Sequence, residues 1–167
     1  MRRQINVDTR AKADQAVALT AREAVASGHV ALSAATRRAV RDGRLKAPSP
    51  TPNSVSSQAA LMPDHPQRAY ASIDPLPFKA GGTAASMKAL EAVLNTMPGM
   101  TIVEQRPDYL YAQAQTRWLK FVDDLEFWAN PASGVIELRS ASRLGREDFG
   151  VNRQRIEKIR AAYLAAP

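Results

Sequence analysis

The run Phe121-Val-Asp-Asp-Leu-Glu-Phe-Trp128 reads as a strand that carries acids where a core should form. Successive side chains in a strand point to opposite faces. In 119–127 the odd positions Leu119, Phe121, Leu125 and Phe127 are apolar, and Asp123 shares their face. Asp124 falls on the other face, with Lys120, Val122 and Glu126. A carboxylate inside an apolar row needs a cation or several hydrogen bonds to stay charged. The natural partner is Arg139 from the next strand, or Arg143 just after it. Two readings stay open: a structural ion pair that fixes strand order, or a carboxylate–arginine pair lining a pocket.

The chain around this run reads as α+β. A short strand fits within 69–78 and is ended by proline. Gly81-Gly82 breaks the chain, and Thr83 is placed to cap a helix over 84–97, with Met87, Leu90, Val93, Leu94 and Met97 on one side. Pro98-Gly99 stops it. Strands are expected at 101–106, 109–116, 118–128 and 134–140, with a five-residue turn at 130–134. A last helix runs from Val151 to Ala165. This order predicts an antiparallel sheet of about four to five strands with helices on one face. Upstream, helices are expected at 8–27 and from Ser33 to Asp42, closed by Gly43. Between them and the body, residues 47–67 begin with three alternating prolines, which remove backbone donors and block helix. This is a linker or a loop laid over the body, where Asn53 to Ser57 could tie it down.

Charge divides the 167 residues. Residues 1–46 hold ten Lys/Arg against four Asp/Glu, a net +6, while the remainder has 13 against 12, a net +1. The expected organisation is a basic helical arm at 1–46, a Pro-rich loop at 47–67 and a body at 68–167. Such an arm suits a protein partner or an anionic surface, or is simply solvated. Nucleic acid is not expected, because the aromatic and basic residues of the body are not interleaved. There are no cysteines, so disulfides, thiolate metal sites and a Cys nucleophile are excluded. His29 and His65 are isolated, and neither a metal site nor a Ser-His-Asp order is expected. No cofactor is expected. No apolar run approaches the ~20 residues of a membrane helix, and the chain as it stands reads as cytoplasmic.

The chemistry-bearing residues form a candidate polar cluster: Asn53, Ser56, Ser57, Asp123, Asp124, Arg139, Ser140, Ser142, Arg143, Asn152 and Arg153. Asp123 and Asp124 diverge as strand neighbours, so a shared-proton dyad is not expected. Gly145 and Gly150 flank a loop leading into the last helix, a possible anion site. The alternative is that Asp148 and Asn152 cap that helix and Arg143 pairs with Asp148. Trp118 and Trp128 would line a concave apolar site if the face opposite the helices were bare.

The segments Pro52-Asn-Ser-Val-Ser-Ser57, Phe121-Val-Asp-Asp-Leu-Glu-Phe127 and Arg139-Ser-Ala-Ser-Arg143, with Gly145 and Gly150-Val-Asn-Arg153, resemble the domain-of-unknown-function 1499 family. The likeness covers about residues 47–163. It implies one compact domain with a shared polar cluster, and no reaction. Relatives occur in bacteria and plastids, and many are exported, lipid-anchored or attached to membrane segments. Many carry a cysteine pair around the Pro-Asn motif. Here Ser54 stands at one such position, so that disulfide clamp is absent, which suits a reducing compartment.

Whether the protein is an enzyme stays open at this level. The first expectation is a non-catalytic binding or accessory subunit that docks on a larger assembly through its basic arm. The alternatives are an enzyme acting on a small anionic substrate through Asp123 or Asp124 with Arg139, Arg143, Ser140 and Ser142, or a carrier of a lipid or apolar ligand.

Overall fold

The computed structural model describes residues 40–116 and 121–167. In chain order these form β1 (Ser54–Ser56), α1 (Arg68–Ala71), β2 (Leu76–Pro77), α2 (Gly82–Thr96), β3 (Met100–Arg106), β4 (Tyr109–Gln115), β5 (Val122–Asn130), β6 (Val135–Ser142) and α3 (Val151–Ala165). The fold is α+β. The sheet is antiparallel and six-stranded, in the order β1-β6-β5-β4-β3, with β2 also on β6. β1 pairs with residues 139–141 and β2 with 135–136, so the two lie end to end along one edge of β6. At three and two residues they are too short to show an alternation in sequence, which is why six strands stand where four to five were expected.

One sheet face carries the core. Leu110, Ala112 and Ala114 of β4, Leu125 and Phe127 of β5, and Ile136 and Leu138 of β6 meet Met87, Leu90 and Leu94 of α2 and Ile156, Ile159 and Tyr163 of α3. Burying such side chains stabilises by about 1.5–3 kcal/mol each. No described helix is long and apolar enough to cross a membrane.

Three local expectations need correction. The strand expected within 69–78 is mostly not one: Arg68–Ala71 is a single helical turn, and only Leu76–Pro77 pairs. Pro75 and Pro77 have no N–H to give a ladder, and α3 satisfies the carbonyls instead. Arg153 Nη2 donates to the Tyr70 and Ser72 oxygens at 2.5 and 2.8 Å. Arg160 reaches the Asp74 and Pro75 oxygens, and the Tyr163 hydroxyl reaches that of Pro77 at 2.9 Å. Second, Thr83 does not cap α2. The cap residue is Gly81, in the left-handed region, and Ser86 Oγ links the first turn by accepting from Lys79 N and donating to Gly82 O. Third, Val40–Asp42 is not helical. Asp42 and Gly43 both have positive φ (51° and 71°), and Arg41 and Arg44 exchange two backbone hydrogen bonds of 2.9 Å. An Asp-Gly pair is suited to such a two-residue turn. The helices expected at 8–27 and 33–39 lie outside the described residues.

The sheet and residues 40–46 belong to one compact unit, Ala39–Pro167. Leu45 is buried, and Gln58 clamps its segment by accepting from Leu45 N at 2.8 Å and donating to Gly43 O at 3.1 Å. The Pro-rich stretch is therefore a loop laid on the body. Ser49 N is held by Ser54 Oγ at 2.7 Å, and His65 Nε2 meets Pro48 O at 3.1 Å.

Gly99 joins α2 to β3 at φ +72°, and an added Cβ would sit 2.6 Å from the Gln115 oxygen. Gly134 has a similar φ of +67° but nothing within 4 Å. Gly99→Ala is expected to cost about 1–3 kcal/mol beyond the ~1 kcal/mol of Gly134→Ala. Urea unfolding of both variants measures the difference.

Candidate functional site

The sheet separates the acids of β5. Asp123 faces the helices and is buried. Its partner is neither Arg139 nor Arg143 but Arg155 of α3, whose Nη2 donates to Asp123 Oδ2 at 2.5 Å. Helix α3 crosses this end of the face and brings a guanidinium down from above, whereas Arg139 projects from the opposite side of its strand. Arg155 Nη1 also donates to Asn152 Oδ1 at 3.0 Å, as does Ser140 Oγ at 2.5 Å. Asn152, fully buried, donates through Nδ2 to Asp148 Oδ2 (2.7 Å), Ser142 Oγ (2.9 Å) and the Asn53 carbonyl (3.1 Å). Asn53 Nδ2 in turn donates to Gly145 O at 2.7 Å. Asn152 thereby ties the Pro-Asn loop, the end of β6 and the start of α3 together.

The N-terminus of α3 is occupied by the chain's own carboxylate. Asp148 Oδ1 accepts from Gly150 N at 3.0 Å and from the Tyr70 hydroxyl, and Oδ2 accepts from Asn152 N at 3.1 Å. Burial alone would raise the Asp148 pKa. The bonds from Tyr70, Asn152 and the two amides outweigh it and hold the carboxyl below its ordinary range. Burial first, and then Asp148, push the Tyr70 hydroxyl up to about 12. Arg143 does not pair with Asp148.

The opposite face carries a second network, not an apolar one. Arg143 grips Asp124 through Nε (3.0 Å to both oxygens) and Nη2 (2.8 Å). Its Nη2 and Gln113 Nε2 both donate to the Tyr111 hydroxyl, at 3.1 and 2.9 Å, and Tyr111 donates to Asp124 at 2.5 Å. One residue pair along, Arg139 Nη1 donates to Glu126 Oε2 at 3.3 Å and the Tyr109 hydroxyl to Oε1 at 3.1 Å. Arg139 Nε also reaches Ala47 O at 3.4 Å. Tyr109, Tyr111, Gln113, Glu126 and Arg139 are all buried. Burial pushes both tyrosines well above their ordinary value, so they act as donors. Burial also pushes Glu126 above the carboxylate range, against the pull of Arg139 and Tyr109. The hydrogen bonds to Asp124 raise Arg143 and keep it charged.

The expected cluster therefore splits. Asn53, Asp123, Ser140, Ser142 and Asn152 converge on the helix side, and Asp124, Arg139 and Arg143 on the other. Ser56 lies opposite Arg139, and its Oγ accepts from Gln58 N at 3.2 Å. Ser57 turns to Glu137 Oε2 at 2.5 Å. Arg153 serves the 70–72 carbonyls. Trp128 shares the charged face, opposite Tyr109 and Glu137, and Trp118 lies outside the described residues. Arg155, Glu126, Tyr109, Tyr111 and Gln113 were not among the expected site residues. The signal for the last four was the alternation of Tyr109, Tyr111 and Gln113 with Leu110, Ala112 and Ala114, and of Glu126 with Leu125 and Phe127; Arg155 had none. Among the described residues no group of three His, Cys, Asp or Glu could hold a metal ion. An open groove on the helix side, between Ala84, Met87 and Glu91 of α2 and Arg106, Pro107 and Leu110 of the β3–β4 hairpin, is separate from both networks.

Residues 44–163 match the family model described as Protein of unknown function (DUF1499), and the chain belongs to that family. No curated protein and no solved structure matches it.

Breaking a buried pair from one side leaves a charge uncompensated, at a cost of about 3–5 kcal/mol. Glu126→Leu alone is expected to destabilise by that order, and adding Arg139→Met to recover part of the loss; urea unfolding closes this cycle. The two perturbed acids have opposite linkage to pH. Asp148, shifted below its ordinary 3.8, contributes stability that is present above that value and lost as pH falls through its folded pKa. Glu126, shifted above its ordinary 4.5, contributes stability that is present below that value and lost as pH rises through its folded pKa. Asp148→Asn is accordingly expected to flatten the fall of stability below about pH 4, read from thermal melts across that range.

Proposed function

We propose that this member of the family is a non-catalytic binding or accessory subunit, docking on a larger assembly through the basic segment 1–46. The observation that supports this most is how the acids of β5 are used. Asp123, Asp124 and Glu126 each have an arginine within 2.5–3.3 Å, from Arg155, Arg143 and Arg139 respectively. Each of the three is thus engaged in an ion pair within the fold rather than turned toward a substrate. The body serves as a rigid scaffold. The net +6 of residues 1–46 supplies long-range attraction to an acidic partner. Because Gln58 fastens residues 43–45 to the body, a deletion should stop at Arg38 and keep that clamp.

A second reading has one observation in its favour. Gln113 Oε1 is a buried acceptor with no partner among the described residues. It stands beside Tyr111, where Arg143 spends Nε and Nη2 on Asp124 and Tyr111. A small hydroxylated acid could donate to Gln113 and accept from the remaining nitrogen of Arg143, which is the enzyme or ligand-binding alternative.

Affinity capture and native mass spectrometry on the intact chain and on a chain lacking residues 1–38 separate the readings. The expected result is a protein partner bound by the intact chain and lost on deletion, with an unchanged melting temperature. Partner association that survives the deletion contradicts the first reading. A small molecule retained by both forms, and released by Arg143→Met, favours the second.

A further inference from the structure

The turn ahead of the Pro-rich loop sets two arginines directly opposite each other. Arg41 and Arg44 form an antiparallel bridge pair and exchange two backbone bonds of 2.9 Å across Asp42-Gly43. Directly opposite residues of such a pair are near neighbours, and like charges there are destabilising. Both arginines are exposed, and so is Lys46 two residues on. Among the described residues no carboxylate forms a salt bridge with either arginine, the adjacent Asp42 included. The turn is nevertheless fixed from below. Buried Gln58 holds Gly43 O and Leu45 N, Leu45 is itself buried, and Ala47 O accepts from Arg139 Nε at 3.4 Å. This clamp keeps the two arginine backbones together against the repulsion of their side chains.

We propose that Arg41 and Arg44, with Lys46 beside them, grip a carboxylate-rich stretch of a partner protein. The proposal rests on the docking role argued above and gives that contact a fixed epitope on the body. Two adjacent guanidinium forks match carboxylates in geometry, and a pre-set backbone lowers the ordering cost of binding. Residues 40–46 carry a net +2 and residues 1–38 a net +4. The first group supplies fixed contacts, and the second supplies attraction at longer range. The occupant is an acidic protein segment rather than a bilayer or a nucleic acid. None of the exposed large apolar side chains lies within 40–51, so that stretch has nothing to insert into lipid. It also has no aromatic ring to stack on a base.

The test is a fluorescence-anisotropy titration of a dye-labelled oligo-glutamate peptide with the full chain, in ~0.1 M salt. Wild type is compared with Arg41→Gln plus Arg44→Gln, and with Arg2→Gln plus Arg3→Gln, which removes the same charge from the start of the chain. The expected result is an affinity at least about tenfold lower for the turn variant and less than about threefold lower for the other. The turn variant should melt no lower than wild type, because it removes a like-charge opposition. Equal weakening by the two variants overturns the proposal, since net charge alone would then set the affinity, and it leaves the docking role standing. Failure of wild type to bind the peptide overturns it too, as does a lowered melting temperature of the turn variant, which would assign the arginines to the fold. An oligothymidylate that displaces the peptide at lower concentration than unlabelled oligo-glutamate, through the same two arginines, overturns the assignment to carboxylates. The docking role itself fails separately, when the intact chain captures no protein partner.

Discussion

A carboxylate in the middle of a sheet stays charged only if a cation or hydrogen-bond donors are brought to meet it. Strand β5 carries three such groups within four residues, and the remaining architecture follows from neutralising them. Glu126 is met from the adjacent strand by Arg139, which lies opposite it in register. Asp124 is met by Arg143, just past the end of β6. Asp123 points to the other face, and only a helix laid over that face can supply Arg155. All three arginines fall within residues 139–155, so the end of β6, the loop and the start of α3 are fixed by the charges of one strand. Desolvating these ions offsets much of their attraction, so the pairs act chiefly on specificity of packing.

Helix α3 is correspondingly less a hydrophobic amphipath than a bearer of donors. Ile156, Ile159 and Tyr163 reach the core, while Arg153, Arg160 and the Tyr163 hydroxyl serve carbonyls of the proline-bearing segment 70–77. An arginine-bearing first turn would ordinarily oppose the helix dipole. Here Asp148 occupies the end of the helix and Arg155 is consumed by Asp123, so the positive charge is compensated locally. The family match over residues 44–163 begins where Gln58 clamps the chain and ends at Tyr163, which spans this whole arrangement.

What the sequence disclosed, and what it hid, has a physical pattern. β3 to β6, α2 and α3 were legible because their apolar residues recur with a period near two or 3.6, interrupted in β3 by a register shift between Ile102 and Glu104. β1 and β2 were not, because two or three residues contain no period. The segment 69–78 misled because its extended look came from prolines, whereas its hydrogen bonds are made by side chains from a helix some 85 residues later. The division of Asp123 from Asp124 followed from strand alternation alone. The identity of Asp123's partner did not, because an arginine on a helix reaches a strand only once tertiary packing has set the helix register. Glu126 was placed on the Asp124 face by the same alternation, and only the structure shows that this face is buried.

The most direct measurement is nitrogen-detected NMR of the arginine side chains in the intact protein. Bidentate or multiply bonded guanidinium groups rotate slowly about the Cζ–Nε bond, and their two Nη nitrogens give separate signals. The account predicts separate signals for Arg139, Arg143 and Arg155, each paired with an acid of β5, and averaged signals for exposed Arg41 and Arg146. Averaged signals from the three paired arginines would contradict it, because the acids of β5 would then lack the fixed counter-charges on which the fold has been argued to rest.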